Sequence, residues 1–507
     1  MISKLSWFKR LKDSFNNQPT ESESFSRFLI KNTINKKYLL IATAGIFIQF
    51  IVFKLCYPFA SFFTDSYTYI DAAANNYVIS IRPLGYSRFL SLVHRFTTSD
   101  TALVFIQYLT IQLGLLYFFF TLRFFIPLRN SISHVLFAFL ICNPVTLYLS
   151  NQVSSDALFA GVSIVWFTLL IWLIIRPAWT HLLIMAELLY LLFQFRYTAL
   201  YLPAVAIPAI LFSRRNWLFK ASGIILVVAP MYLGMQQIKR LTQKETGTAV
   251  FSAFGSWMAA NNALHVYRHI TVQDKDLPTA DCIALNKMVK QYFDTLPASA
   301  KPLADEFLWS AHSPLKTYMH QLQQQKKING YFRSWHAVAP VFTQYSNTLM
   351  LQHPFAYMRY YILPNSKVFF LPPLECFASY NEQKNTVDSV AVKWFQYKSN
   401  QVTCVNKTVQ AGIVAPMPWL WLLSNIVFCG GLLLVLIRAK RYKLSPALLR
   451  TLLLAGIFWG VHFCFSIYAS SIVFRYQYFP MIVCVTFSLI LINIFTTHYR
   501  NKPASTM

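Results

Sequence analysis

Residues 157–175 read ALFAGVSIVWFTLLIWLII, nineteen consecutive residues without a charged side chain. About 20 apolar residues in a row cross the hydrocarbon core of a bilayer as a helix. The whole chain is 56% hydrophobic and only 12% charged, about half the charged fraction of a soluble domain. We therefore predict an all-α polytopic membrane protein with about ten spans. They are 38–57, 101–121, 131–149, 157–175, 181–195, 197–212, 217–236, 417–437, 448–469 and 477–496.

Basic residues are distributed unevenly between the two sides of these spans. The short segments on the side of the N-terminus hold 21 Lys and Arg, and the short segments on the other side hold five. Cytoplasmic loops carry the excess of Lys and Arg, so both termini are predicted to be cytoplasmic. The net charge of +27 then reflects topology and anionic lipid, and we do not expect nucleic-acid binding.

The predicted spans divide the chain into five parts. A basic cytoplasmic tail covers 1–37, and a transmembrane core covers 38–237. A large, mostly α extracytoplasmic domain follows at 238–415, then three spans within 416–496 and a tail at 497–507. Within the core, the outer loop 58–100 is predicted to form interfacial helices, because its apolar residues suit a helix lying along the membrane surface. An extracytoplasmic domain permits a disulfide, for which Cys376 and Cys404 are candidates.

Four acidic residues outside the large domain map to the outer membrane surface: Asp65, Asp71, Asp100 and Asp156. Acids near a bilayer are costly, which favours a functional role, although a solvated loop carboxylate is the simpler interpretation of any one of them. Asp65 is followed by Arg82 and Arg88. A carboxylate can deprotonate a hydroxyl, and an arginine can bind a phosphate with two parallel hydrogen bonds.

Two short motifs in the outer loop carry a resemblance to a known family. They are Asp65-Ser66-x-x-Tyr69 and Arg82-Pro83-x-Gly85-Tyr86. Together they resemble the first outer loop of the GT-C glycosyltransferases, which include the protein mannosyltransferases and the lipid A aminoarabinose transferases. Three later stretches are also similar to that family, in the same order along the chain. They are 143–148 with 154–159, then 195–200, and Arg475-Tyr476 before Pro480.

The resemblance implies an inverting transferase that moves a sugar from a polyprenyl-phosphate donor to an acceptor hydroxyl. The acceptor is a glycolipid, a polysaccharide or a protein, and the site faces the periplasm from a bacterial inner membrane. Asp65 is then the catalytic base, and Asp156 is a second acid that orients a substrate or, with Asp65, holds a divalent metal. Binding of the donor phosphate is expected from Arg82, Arg88, Arg196, Arg475, Tyr69 and Tyr476.

Other interpretations stand beside this one. Arg196 and Arg475 are also placed to reach lipid headgroups, and Ser154-Ser155-Asp156 is a helix-start pattern. A lipid or glycan transporter or flippase is the first alternative function, although only 14 Gly and no internal repeat are present, unlike transporters with repeated halves. An O-antigen-type polymerase or ligase, with key residues in a late outer loop, is the second. A purely structural membrane protein is the third.

Overall fold

The computed structural model describes residues 24–297, 299, 302–438, 442, 444–469 and 471–500. Residues 1–23 of the predicted tail 1–37 and residues 501–507 of the predicted tail 497–507 therefore lie outside the described residues. Within the described ranges every regular element is helical, and pairing of the strand type is limited to two isolated bridges. The helices in the first half of the chain are α1 Phe25–Lys31, α2 Thr33–Cys56, α3 Thr64–Ala74, α4 Gly85–His94, α5 Asp100–Phe125, α6 Asn130–Ile141, α7 Pro144–Asn151, α8 Asp156–Ile175, α9 Trp179–Phe195, α10 Pro203–Phe212 and α11 Trp217–Thr246.

The second half continues with a helical domain and the last membrane helices. Its helices are α12 Ala253–Leu264, α13 Ala280–Thr295, α14 Glu306–Trp309, α15 Pro314–Gln325, α16 Tyr331–Gln352, α17 at 354–370, α18 Ser389–Phe395, α19 Val409–Val414, α20 Met417–Ile437, α21 Pro446–Ala469 and α22 Tyr478–Arg500. Helix α17 is continuous but contains a π-helical turn, Met358–Ile362.

Eight helical stretches of the described chain are long and apolar enough to cross a membrane. They are Thr33–Cys56, Asp100–Phe125, Asn130–Asn151, Asp156–Ile175, Trp217–Thr246, Val409–Ile437, Pro446–Ala469 and Phe474–His498. Trp179–Phe195 and Tyr197–Phe212 are apolar but shorter. The prediction of an all-helical polytopic membrane protein is confirmed. The count of ten spans and the orientation of the termini stay predictions.

The predicted third span is two helices rather than one. Helix α6 ends at Ile141, and α7 begins at Pro144. The side chain of Asn143 accepts a hydrogen bond from the backbone N–H of Val145 at 3.0 Å, so it caps α7. Proline disfavours a helical conformation in the residue before it, which is why the helix restarts here.

Small residues allow two membrane helices to pack closely. A Cβ atom added to Gly114 of α5 would lie 2.9 Å from the carbonyl oxygen of Gly161 in α8. Glycine at both positions therefore lets the two backbones approach, as small residues do in membrane proteins. We call the end of the membrane helices where the first loop (58–100) and the segment 238–415 lie the cavity end.

The first loop contains two short helices, α3 and α4, as its pattern predicts. Helix α4 starts against the last turn of α9, and a Cβ atom on Gly85 would lie 2.4 Å from the carbonyl oxygen of Gln194. Tyr86 is fully buried beside this contact, and its hydroxyl donates to Gln107 Oε1 at 2.8 Å. This packing brings the Arg82 turn next to the Arg196 turn.

The segment 238–415 is not a single detached domain. Helix α11 runs to Thr246, so the predicted boundary at 237 falls inside a helix. Helices α12 to α16 share a core that includes Trp257 and Phe342, whereas residues 377–402 pack into the core of the membrane part. All eight cysteines lie in the described ranges and are free thiols.

The candidate disulfide between Cys376 and Cys404 is therefore not formed. Cys376 lines a cavity that also contains Arg475, whereas Cys404 packs against the apolar core of the membrane part. The two thiols thus lie in different surroundings.

Candidate active site

One cavity of about 1040 Å³ lies at the cavity end of the membrane helices. Its wall is formed by residues from the first loop, the start of α8, the turn after α9, helices α12 and α16, and the loop before α22. The predicted site residues that line it are Asp65, Tyr69, Arg82, Asp156, Arg196, Arg475 and Tyr476. Residues from four distant parts of the sequence therefore meet in one place.

Asp65 and Arg82 form an ion pair on one side of the cavity. Asp65 lies in the first turn of α3, where the helix dipole favours a negative charge. Arg82 Nη2 is 2.5 Å from Asp65 Oδ1, and the side chains are 20% and 19% exposed, respectively. The guanidinium also lies 5.9 Å from the ring centre of Tyr69 and 5.8 Å from that of Phe254. The pair is held in place but remains accessible from the cavity.

Asp156 forms a second, more deeply buried cluster. Its carboxylate contacts Arg196 Nη1 and lies 3.5 Å from Arg475 Nη1. Ser154 Oγ donates to the same carboxylate at 3.1 Å. The side chains of Asp156 and Arg475 are only 5% and 8% exposed. Two guanidiniums here share the Asp156 carboxylate.

Aromatic rings fix the two guanidiniums of this cluster. Arg196 and Arg475 lie 4.3 and 4.8 Å from the ring centre of Tyr476, and Arg475 also lies 4.9 Å from that of Phe63. Arg475 Nη2 donates to the Tyr476 hydroxyl at 3.0 Å. Stacking of this kind suits the planar guanidinium of arginine and holds its orientation. The arginines are thus preorganised rather than mobile.

Tyr69 connects the two groups, because its hydroxyl is 3.1 Å from the Oγ atom of Ser155, the residue before Asp156.

Arg88, in contrast, does not lie where its predicted role in phosphate binding requires. It is exposed and lies outside this cavity, because α4 turns Tyr86 and Leu90 inward and so directs Arg88 to the opposite face. Arg88 is not part of the site.

Three acidic residues of the segment 238–415 also line the cavity, and the sequence did not indicate them: Asp305, Glu375 and Glu382. Glu375 Oε2 lies 3.1 Å from Arg475 Nε, and the backbone of Glu375 has a φ of 50°. Burial raises the pKa of the Glu375 carboxyl, and Arg475 lowers it in part. No local motif marks Glu375, since its position depends on contact with a chain segment 100 residues away.

A polar contact network holds the loop that precedes α3. Asp100 Oδ2 accepts hydrogen bonds from the backbone N–H of Ala60 at 2.7 Å and from the Tyr397 hydroxyl at 2.8 Å. Asn381 Oδ1 accepts from the backbone N–H of Phe62 at 3.1 Å. Asp100, a candidate acid by sequence, therefore anchors this loop. It is a structural residue close to the site.

The carboxylates do not form a metal centre. The described part of the chain contains no group of three or more His, Cys, Asp and Glu side chains that could hold a metal ion. Asp65 and Asp156 each face an arginine instead. The donor set thus does not fit the divalent cation that the resemblance implied, and we derive no step through a metal.

The Cys376 thiol also lines the cavity, and burial raises its pKa to about 12.

Comparison of the chain with protein-family models, with curated proteins and with solved structures finds no match in any of the three. The resemblance to the GT-C glycosyltransferases therefore stays a prediction carried by the motifs quoted above.

Proposed function

We propose that this protein is a membrane glycosyltransferase that moves a sugar from a polyprenyl-phosphate donor to an acceptor hydroxyl. The observation that carries the proposal is the shared cavity. It joins an accessible carboxylate, Asp65, to two preorganised guanidiniums, Arg196 and Arg475. A base for the incoming hydroxyl and cations for a departing phosphate are the two requirements of such a transfer.

The reaction is a single displacement. Asp65 accepts the proton of the acceptor hydroxyl, whose oxygen attacks the anomeric carbon of the donor. The bond between that carbon and the phosphate oxygen breaks, and the polyprenyl phosphate departs with the bonding electrons. Arg196 and Arg475 stabilise the charge that develops on the phosphate, and because the rings of Tyr476 and Phe63 already orient them, little reorganisation is needed.

A donor carried by a membrane lipid suits the walls of this cavity. Phe195 at the end of α9 and Phe465 in α21 line it, together with Tyr197 and Phe251. Helices α8 and α21 are among those long enough to cross a membrane. The polar centre therefore adjoins membrane helices, and a reactant with an apolar tail reaches it without leaving the bilayer.

Glu375 competes with the donor for Arg475 in this proposal. With Glu375 ionised, two carboxylates balance the two guanidiniums of the cluster, and with Glu375 protonated one positive charge remains. An arriving phosphate takes the place of the Glu375 carboxylate at Arg475. The raised pKa of Glu375 favours this exchange, because the carboxylate takes up a proton more readily and so leaves Arg475 at a smaller cost.

The direct test is transfer from a radiolabelled polyprenyl-phosphate sugar by membranes that contain the full-length protein. Asp65→Asn removes the base and nearly preserves its shape, so transfer should fall by about 10²–10⁴-fold. Asp71→Asn, on the same helix but outside the cavity, is the matched control and should leave the rate unchanged. Unchanged transfer by the Asp65→Asn variant would exclude this mechanism.

One observation favours a second candidate, the O-antigen-type polymerase or ligase. Such enzymes use residues of a late outer loop, and Asp305, Glu375 and Glu382 of the segment 238–415 share the cavity with Asp65. Glu375→Gln should then abolish polymerisation or ligation of a lipid-linked glycan, while Asp65→Asn should have little effect. The opposite pattern supports the transferase.

A further inference from the structure

Helix α17 and its flanking residues expose a row of large apolar side chains on one face. Phe355 is 90% exposed, and Leu351, Met358 and Leu363 are each at least half exposed. An exposed row of this kind is unusual for a segment that faces water and marks a contact surface. We call residues 351–371 the interfacial strip.

The opposite face of the interfacial strip is already covered. Tyr357 and Tyr361 are buried against Val266. The Tyr360 ring stacks on His269 with 3.7 Å between ring centres. The strip is thus a fixed part of the domain, and its apolar row is available to a partner outside the chain.

Two hydrogen bonds place the strip at the level of the membrane helices. Trp421 Nε1 donates to the carbonyl oxygen of Phe369 at 2.7 Å, and Asn365 Nδ2 donates to that of Ile467 at 3.2 Å. Ile467 lies two residues before the end of α21 at Ala469, and Ala469 lines the cavity, so the contact is made at the cavity end of that helix. The strip therefore lies beside two membrane helices, which is a location typical of amphipathic helices that bind the bilayer interface.

The charge of the strip matches a lipid surface. Arg359 and Lys367 are exposed beside the apolar row, and residues 351–371 contain no Asp or Glu. Basic residues near an anionic lipid surface strengthen the attraction of a protein to the membrane. An apolar row flanked by cations is the pattern of an interfacial membrane helix.

From these observations we infer that the interfacial strip is a lipid-binding surface of the large domain. Phe355, Met358 and Leu363 enter the leaflet at the cavity end, and Arg359 and Lys367 contact anionic headgroups. The strip also packs beside the cavity, since Tyr357 contacts Tyr468, which precedes the lining residue Ala469. Its immersion therefore brings the membrane surface beside the cavity. This inference does not depend on the reaction proposed above.

The test measures fluorescence quenching in the full-length protein, reconstituted in nanodiscs of phosphatidylcholine and phosphatidylglycerol. An environment-sensitive fluorescent amino acid replaces Phe355, and in a matched control it replaces Gln324, an exposed residue of α15. Lipids with a nitroxide on the acyl chain should quench the probe at 355 several-fold more than the probe at 324. A water-soluble nitroxide should give the reverse order. Quenching at 355 by the aqueous reagent alone would overturn the inference.

A second arm tests the contribution of charge. Nitroxide-labelled phosphatidylglycerol should quench the probe at 355 more than labelled phosphatidylcholine does. The double variant Arg359→Gln and Lys367→Gln should remove that difference, as should 1 M salt, which shortens the screening length to about 3 Å. Equal quenching by both lipids in the unaltered strip would contradict anionic-lipid binding. Protection of the probe from every quencher, with a dimer in analytical ultracentrifugation, would assign the surface to a second copy of the chain.

Discussion

The two charged groups of the cavity are built differently. Asp65 and Arg82 come from one loop, 17 residues apart, and each side chain is about one-fifth exposed. Asp156, Arg196 and Arg475 come from three distant parts of the chain, and Asp156 and Arg475 are less than one-tenth exposed. The first pair is local and accessible, whereas the second cluster is buried and depends on the assembled fold.

This difference suits a division of roles within the proposed reaction. A proton acceptor has to meet its substrate and afterwards release the proton, which requires access. Cations that stabilise a departing phosphate act best when they are fixed in advance in a site shielded from water. The same burial gives the Asp156 cluster a structural role, because separating buried charges from their partners is costly.

The largest expected effect on stability comes from Asp156. Asp156→Ala leaves Arg196 and Arg475 without the carboxylate they share, which should lower the free energy of unfolding by about 3–5 kcal/mol. Titration of the purified protein in mild-detergent micelles with a denaturing detergent measures this loss. Asp71→Ala is the control and should change stability little. A loss below 1 kcal/mol for Asp156→Ala would show that the cluster does not stabilise the fold.

A smaller effect is expected from the accessible pair. Arg82→Gln removes the ion pair with Asp65, but both groups keep contact with water. We expect the free energy of unfolding to fall by about 1 kcal/mol, the upper value for exposed ion pairs. The same detergent titration gives the comparison directly. If Arg82→Gln destabilised the protein as much as Asp156→Ala does, the accessible pair and the buried cluster would contribute equally to stability, contrary to our expectation.

Glu375 links stability to pH. Burial raises its pKa above the ordinary value of 4.5, so the folded state holds this proton more tightly than the unfolded state. The stabilising contribution is therefore complete below pH 4.5 and is lost as the pH rises through the raised pKa. Glu375→Gln should remove this pH-dependent loss of stability. The loss itself should be smaller than about 1 kcal/mol, because solvent reaches the Glu375 side chain. Unfolding titrations across this pH range should show a flatter profile for the variant, and an identical slope would refute the assignment.

The smallest effect is expected at Arg88. Arg88→Gln changes an exposed residue that lies outside the cavity. The free energy of unfolding should therefore stay within about 0.5 kcal/mol of that of the unaltered protein, and the rate of transfer should not change. The measurement is transfer from the labelled donor, with Arg82→Gln run beside it. A large loss for Arg88→Gln alone would mean that the donor binds across α4 rather than inside the cavity.

Much of the fold was predictable because spanning a membrane imposes long apolar runs. All ten predicted segments coincide with apolar helices, two of them shorter than the rest. Details that depend on single residues were less accessible. Pro144 divides the third segment into two helices, and α11 extends beyond its apolar part as far as Thr246. A run of apolar residues predicts where the chain crosses the bilayer. It does not predict the residue at which a helix begins or ends.

The candidate site was predictable in part. Motifs within the first loop pointed to Asp65 and Arg82, and the structure brings both into the cavity with Asp156, Arg196 and Arg475. Arg88 was predicted from its place in the same loop, but it lies on the exposed face of α4, outside the cavity. Glu375 was missed, because its contact with Arg475 joins segments far apart in the sequence.

The sequence by itself determined that this chain is helical and lies in a membrane, because apolar runs near 20 residues have no stable place in water. It also marked acidic and basic residues at one end of those runs. Only the tertiary structure decided which charges pair, which are buried, and that residues 351–371 lie beside the membrane helices. Pairing and burial depend on contacts between distant segments, and no local pattern of residues encodes them.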